Sequence, residues 1–276
     1  MSAPPGESIR VIRAGSGVDP ALATELGGPG WTASARLLKR EGGSAVYEGA
    51  SSVGRLVVKV MTLDRPKDAL SRLAGVTRLG RQWRGSERLA QLGFQVARPL
   101  LLWRGRGPQG KLVEALAMER LEGNTALELL AQRGRCDPDT LRRIARRIGT
   151  DVGRMSALGV YNRDHKPSNL LVMSLDADLR VAVLDTVAIR RARLGSRALA
   201  RRRMLFALAV EPLGTGILPG VGVRLTVMRA CARAAGLPAS VIADDWRAVA
   251  RMLERHKSPV PRTDPLARPT DAQGAH

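Results

Sequence analysis

GVYNRDHKPSNLLVM (residues 159–173), SLDADLR (174–180) and VAVLDTV (181–187) form the continuous stretch on which the reading of this chain turns. LLVM and VAVL are short apolar runs either side of a polar turn, the pattern of an antiparallel hairpin. A pairing centred on residues 174–180 sets Asn169 opposite Asp185 at the hairpin's open end. An amide oxygen beside a carboxylate is a hard oxygen site suited to Mg²⁺. Asp164 lies five residues before Asn169, in the loop feeding that end, where it can orient or deprotonate a hydroxyl. Lys166, between them, can neutralise a phosphate in transfer. Asp164 and Asn169 also suit plain turn capping; the spacing together with Asp185 favours the chemical reading. His165 is assigned no role.

Upstream of this stretch, Asp137 and Pro138 read as the N-cap and first position of a helix. Leu141, Ile144, Ile148, Val152, Met155 and Leu158 carry its apolar face, and Gly159 ends it. Further upstream, residues 35–61 read as two strands around a Gly-containing turn and a third strand, LVVKV (56–60). A helical region opened by Asp64 and Pro66 follows, then two strands in VARPLLLWRG and KLVEALAMERL. Beyond Thr125 helices dominate. Residues 1–31, rich in Gly, Pro, Ala and Ser, read as a flexible extension, and the Pro-studded residues 258–276 as an irregular tail. The chain is thus expected to be α+β, with a small β-rich part over 32–123 and a larger helical part over 124–257.

The 276 residues carry 45 Lys+Arg against 25 Asp+Glu, a net charge of +20. A hydrophobic content of 44% excludes wholesale disorder, and 3% aromatics argue against base-stacking platforms. No run approaches the roughly 18 apolar residues of a membrane span, the N-terminus lacks an apolar signal core, and Cys136 and Cys231 form no CxxC. These features read as a soluble cytoplasmic protein. Arg190, Arg191, Arg193, Arg197, Arg201, Arg202 and Arg203 fall within fourteen residues. Either a solvated helix face or an anion-docking surface accounts for them; the latter suggests peripheral contact with an anionic inner membrane, while nucleic acid is disfavoured as a partner.

NRDHKPSN resembles the protein-kinase catalytic loop, H-R-D-x-x-x-x-N, with the Asp-to-Asn spacing matched and Asn162 in the place of the His. LVVK resembles the strand segment V-A-I-K, which implies that Lys59 binds the α/β-phosphates of ATP. Strand alternation puts Val57, Lys59 and Met61 on one face, so Val57 would roof the adenine. AMERLEG (117–123) resembles the hinge, where backbone groups of Glu119 and Leu121 would read the adenine edge. LDTV stands for the D-F-G segment and keeps Asp185. RQWRGSERLAQLGFQVARPLLL (81–102) and VARMLERHKSPVPRTDPL (249–266) are similar to stretches of bacterial lipopolysaccharide kinases, which phosphorylate Kdo or core heptose. The resemblance spans about residues 35–266. It implies a two-lobe protein-kinase-like fold with a small β-rich N-lobe and a larger helical C-lobe. It further implies ATP and Mg²⁺ as cofactors, a phosphorylated sugar-lipid acceptor, and work at the cytoplasmic side of the inner membrane. In that frame Asp164 and Lys166 are catalytic, Asn169 and Asp185 hold the metal, and Lys59 shares a nucleotide cleft with them.

Three departures stand against the pattern. The helix Glu that pairs with the strand Lys aligns with Gln82; Glu87 lies five residues on, about 140° round a helix. REGGSAVYEG (40–49) offers the backbone of Gly42 and Gly43 to phosphates but is not G-x-G-x-x-G. Thr186 and Val187 replace Phe and Gly. The alternatives to a lipopolysaccharide kinase are a protein Ser/Thr or small-molecule kinase, a nucleotide-binding pseudokinase, and an Arg-based nucleic-acid module.

Overall fold

A computed structural model describes residues 9–256 apart from 65–67, 69–70, 72–73, 107–110, 133–135, 176–177 and 218. Pro66 and the tail over 258–276 therefore lie outside the described residues. The chain divides into two compact units, one containing the described residues up to Gln91 together with Ala97–Arg120, the other Leu92–Val96 together with Leu121 onward.

The first unit contains β1 (Arg10–Ala14), α1 (Leu22–Gly27), α2 (Pro29–Ser34), β2 (Arg36–Glu41), β3 (Ser44–Ser51), β4 (Gly54–Thr62) and α3 (Arg78–Gln91). After β5 (Gln95–Val96), which belongs to the second unit, come β6 (Pro99–Arg106) and β7 (Leu112–Glu119). The six strands form an antiparallel sheet in the order β1-β6-β7-β4-β3-β2. Leu56 and Val58 of β4 are buried with Leu101 and Trp103 of β6 and with Leu22, Leu26 and Trp31 of the two short helices. The alternation of β4 leaves Val57 and Lys59 on the opposite face.

The expectation of a flexible extension over 1–31 is corrected for the described part. Residues 10–14 pair with β6, and Leu22, Ala23 and Leu26 are buried at 4% exposure or less. A five-residue strand and six-residue helices are too short to show a period; their apolar side chains are covered by a sheet supplied by residues eighteen or more positions away. Trp31 illustrates this. Its indole donates to the Ala50 carbonyl at 2.7 Å, and it lies against Gly49, where an added Cβ would meet the ring at 2.9 Å. Gly49 thus makes room for a tryptophan.

The second unit holds β8 (Asn124–Thr125), α4 (Ala126–Ala131), α5 (Pro138–Ala157), β9 (Val160–Asn162), β10 (Leu170–Val172), β11 (Val181–Val183) and β12 (Ile189–Arg191). The helices α6 (Arg197–Gly214), α7 (Val221–Ala234) and α8 (Ser240–Arg255) complete it. Its strands form a small sheet, β5-β11-β10-β8, and a separate pair, β12-β9. The Asp137 side chain accepts from the Asp139 and Thr140 amides at 2.9 Å, capping α5 as its sequence predicts. Ile144, Ile148, Val152 and Met155 are buried, but Leu158 is 49% exposed because α5 stops at Ala157. α5 packs against α7 with almost no side-chain spacer: a Cβ on Gly149 would sit 2.2 Å from the Val227 carbonyl oxygen, and one on Gly153 2.3 Å from that of Cys231.

The arginine cluster does not form one surface. Arg201 is 5% exposed and grips Asp245 of α8 through two bonds of 2.6 and 3.0 Å; Arg202 reaches the same carboxylate at 2.8 Å. Arg190 turns onto the carbonyls of Val187 and Ile189. Arg191, Arg193, Arg197 and Arg203 are exposed. One carboxylate 42 residues beyond Arg203 splits a cluster that reads as uniform along the chain. Among the described residues, no helix is long and apolar enough to cross a membrane.

Candidate active site

In the first unit, β4 and β7 place Val57 beside Met118 and Lys59 beside Leu116, all four on one face. α3 lies along this side of the sheet and brings Gln82, 1% exposed, to Lys59: the ammonium donates to Gln82 Oε1 at 3.0 Å. Gln82 Nε2 donates in turn to Met118 Sδ at 3.3 Å. Gln82 is therefore the α3 residue that meets the strand lysine. Glu87, on another face, pairs with Arg13 at 3.7 Å, both half exposed. An amide offers a dipole where a carboxylate would offer a charge. Gly42 and Gly43 form the two-residue turn between β2 and β3, Gly42 at φ +54°, with the Gly43 carbonyl accepting from Thr62.

Glu119 ends β7, and its N–H donates to the Arg98 carbonyl at 2.9 Å, so the donor of this peptide is used inside the unit. The next residue, Arg120, is anchored twice. Its N–H donates to Arg55 C=O, and its Nε donates to Glu48 Oε1 at 3.1 Å. Glu48, 3% exposed, also receives Arg36 at 2.7 Å and Arg55 at 2.6 Å. Burial pushes the Glu48 carboxyl up, but the hydrogen bonds and charges of Arg36 and Arg120 outweigh it and hold the pKa below the ordinary value.

In the second unit, the loop after β9 gathers its polar groups around Asp164. Asn169 Nδ2 donates to the Asp164 carbonyl at 2.9 Å and to its carboxylate Oδ2 at 3.2 Å. Lys166 Nζ stands 3.4 Å from Oδ1. Both side chains of this ion pair are more than a third exposed, so solvent screens it and a phosphate can compete for the lysine. Asp185 Oδ1 accepts from the Val187 amide at 3.0 Å, closing the turn after β11. With Nδ2 donating to Asp164, Asn169 could offer Oδ1 to a metal, and Asp185 its second carboxylate oxygen. Among the described residues no group of three or more His, Cys, Asp or Glu forms a metal cage. A single amide and a single carboxylate fit Mg²⁺, which keeps several waters and takes the rest of its shell from phosphates.

The hairpin register corrects one expectation. Leu170 pairs with Val183 and Val172 with Val181, and the Leu184 N–H donates to Asn169 C=O at 2.9 Å. Asn169 thus faces Leu184, and Asp185 lies one residue beyond. Both arms are wholly buried, so no alternation of polar and apolar residues specifies the register in the sequence.

Three residues to which the sequence assigns no role in the chemistry hold this loop. Asn162, fully buried, accepts the Asp164 N–H at 3.0 Å and donates to the Asp185 carbonyl at 2.9 Å. It links the loop of one candidate residue to the segment of the other. Ser168 donates twice to Glu211 of α6, from Oγ at 2.5 Å and from N at 2.8 Å. The position of Asn162 in the motif marks it; nothing local marks Glu211, 43 residues away. His165 is 1% exposed, and burial pushes its pKa down to about 4, so the loop carries a neutral packing residue there.

The family model of the lipopolysaccharide kinase (Kdo/WaaP) family matches residues 35–204. No curated protein matches. The solved structure of WaaP in complex with acyl carrier protein is 22% identical, covers 87% of this chain and 92% of its own, and superposes with a TM-score of 0.57, which shows the fold. Rad53 1-466 in complex with AMP-PNP, 18% identical over 79% of this chain and 52% of its own, gives a TM-score of 0.45, too low to bear on the argument.

Proposed function

Since this chain belongs to the lipopolysaccharide kinase (Kdo/WaaP) family, a phosphotransferase family of kinase-like fold, we propose a role for each residue of its site. The γ-phosphoryl of ATP passes to a hydroxyl of a lipopolysaccharide core sugar, Kdo or heptose. Lys59 holds the α/β-phosphates, the backbone of Gly42 and Gly43 covers them, and Val57 covers the adenine. The Glu119 carbonyl and the Leu121 backbone read the adenine edge. Asn169 and Asp185 hold Mg²⁺, which when bound draws the phosphate oxygens into place and offsets their charge. Asp164 orients the acceptor hydroxyl and takes its proton; Lys166 exchanges Asp164 for the phosphoryl in transfer.

The observation that supports this reading best is the bonding of Asn169 to Asp164, at the spacing of a kinase catalytic loop. The test is transfer of labelled phosphate from ATP to purified lipopolysaccharide core. Asp164→Ala and Asp185→Ala should each abolish it while the thermal midpoint is kept. Near-normal turnover in either variant refutes that residue's role. Binding of ATP without turnover in the parent protein would favour a pseudokinase, and transfer to protein or free sugar another acceptor class.

Exposed Arg191, Arg193, Arg197 and Arg203 support a cytoplasmic position against an anionic inner-membrane surface. Flotation with vesicles of anionic lipid, against neutral ones, tests it. A cavity of about 250 Å³ in the second unit favours acyl carrier protein as a further partner. It is lined by Leu130, Ile144, Leu208, Val227 and Trp246, with Arg224 over the Trp246 ring at 5.3 Å. Its apolar walls suit an acyl chain and its arginine an anionic group. Retention of acylated but not unacylated carrier protein on the immobilised kinase would support this.

A further inference from the structure

The Ser168–Glu211 contact carries an inference about how the metal ligand is placed. Ser168 is the middle residue of a single 3-10 turn, Pro167–Asn169, whose closing bond runs from Asn169 N–H to Lys166 C=O at 2.9 Å. One carboxylate takes both donors of Ser168, on different oxygens, at 2.5 and 2.8 Å. A single bond would leave the turn free to swivel about it; two bonds to one rigid planar group fix position and rotation together. Proline fixes φ on the N-terminal side of the turn. Asn169 on the C-terminal side then has little backbone freedom left.

Glu211 lies in the last turn of α6, and its carbonyl accepts the Thr215 N–H at 3.1 Å. Pro212, inside α6, is followed by an alternative set of bonds: Thr215 Oγ1 and Ile217 N both donate to the Pro212 carbonyl, at 3.1 and 2.9 Å. The other end of α6 is tied to α8 through Arg201, Arg202 and Asp245. The turn is thus hydrogen-bonded to α6 through the Glu211 side chain, while Pro167 packs among residues of α4, α5 and α6.

We propose that Glu211 is a positioning residue for phosphoryl transfer, acting through Ser168 to set the Asn169 side chain for Mg²⁺; this rests on the assignment of Asn169 as a metal ligand. Residues that hold a metal ligand in place cost roughly 10- to 100-fold in metal affinity or activity when removed. Glu211→Ala should therefore raise the Mg²⁺ concentration for half-maximal turnover by about ten-fold or more, with a smaller change in the KM for the acceptor. Glu211→Gln, which keeps one acceptor, should fall between. Ser168→Ala, which keeps the N–H bond, should also be intermediate. The double variant Ser168→Ala/Glu211→Ala should be no worse than Glu211→Ala alone, because both remove one interaction.

A readout without metal or nucleotide separates this inference from the assignment it rests on. In the apo protein, Glu211→Ala should speed amide exchange in the peptide covering 164–172 and leave that of α5 unchanged. Faster exchange together with a raised Mg²⁺ requirement supports the proposal. Unchanged exchange overturns it, as does an unchanged Mg²⁺ requirement in Glu211→Gln and Ser168→Ala. If Asn169→Ala leaves the Mg²⁺ requirement of the parent protein unaltered, the metal-ligand assignment fails, and the positioning role toward Mg²⁺ is overturned with it, while the exchange result still reports whether Glu211 holds the turn.

Discussion

Replacing Asn162 by Leu removes a fully buried amide and keeps the number and branching of side-chain heavy atoms, so no cavity opens; the cost is the lost hydrogen bonding, with overpacking by the larger methyl groups added to it. Two groups lose their partner: the Asp164 N–H, bonded at 3.0 Å, and the Asp185 carbonyl, bonded at 2.9 Å. A buried polar group left unsatisfied costs about 1–3 kcal/mol; both bonds are part-buried, so the pair should cost at most about 2–6 kcal/mol. That is a large share of the 5–15 kcal/mol typical of a folded domain. Equilibrium urea unfolding should show a lower midpoint with an unchanged m-value. Asn162→Asp keeps the acceptor but turns a carboxylate toward the Asp185 carbonyl, and should lose at least the about 1–3 kcal/mol of one orphaned group. Asn162→His, the residue that the kinase motif carries here, has one nitrogen to accept and one to donate, and should recover at least half of the loss in Leu. A loss below about 1 kcal/mol in Asn162→Leu, no more than one ordinary hydrogen bond, would refute the bridging role. So would a His variant no better than Leu.

Gly149→Ala places a Cβ 2.2 Å from the Val227 oxygen and must push α5 and α7 apart; it should lower the thermal midpoint strongly, whereas Gly195→Ala, with nothing within 4 Å, should be near neutral. Glu48 has a folded pKa below its ordinary 4.5, so its stabilisation is complete above about pH 4.5 and is lost as pH falls through the lower folded value. Glu48→Gln should therefore melt earlier than the parent at neutral pH, with the gap narrowing in acid; a gap constant with pH would contradict it. Gln82→Ala should raise the KM for ATP, while Gln82→Glu, which makes the 3.0 Å contact with Lys59 charge-assisted, should hold it at or below the parent value. A rise in Gln82→Glu as large as in Gln82→Ala would show that this contact does not serve ATP.

Much of the candidate site was legible because its signals are local. The Asp164-to-Asn169 spacing, the strand alternation around Lys59 and the Asp137–Pro138 cap each reside within a few residues, where side-chain type and backbone geometry are directly coupled. Aligning strand and helix with a known pattern set Gln82 at the place of the missing Glu, but that Lys59 meets it was decided by the packing of α3 on the sheet. The order of the N-terminal residues is not legible for the opposite reason: it comes from a sheet they cover, not from a period of their own.

By itself, then, the sequence determined the family, the strands β2, β3, β4, β6, β7, β10 and β11, the helix α5, and which residue types stand in the loop over 162–169. The tertiary structure decided the hairpin register, the division of the arginines between Asp245 and solvent, and the grip of Glu211 on Ser168. A register between two wholly buried strands leaves no polar alternation to read. A carboxylate finds its partner through the path of a helix, and that path depends on packing elsewhere, such as the close approach of α5 to α7.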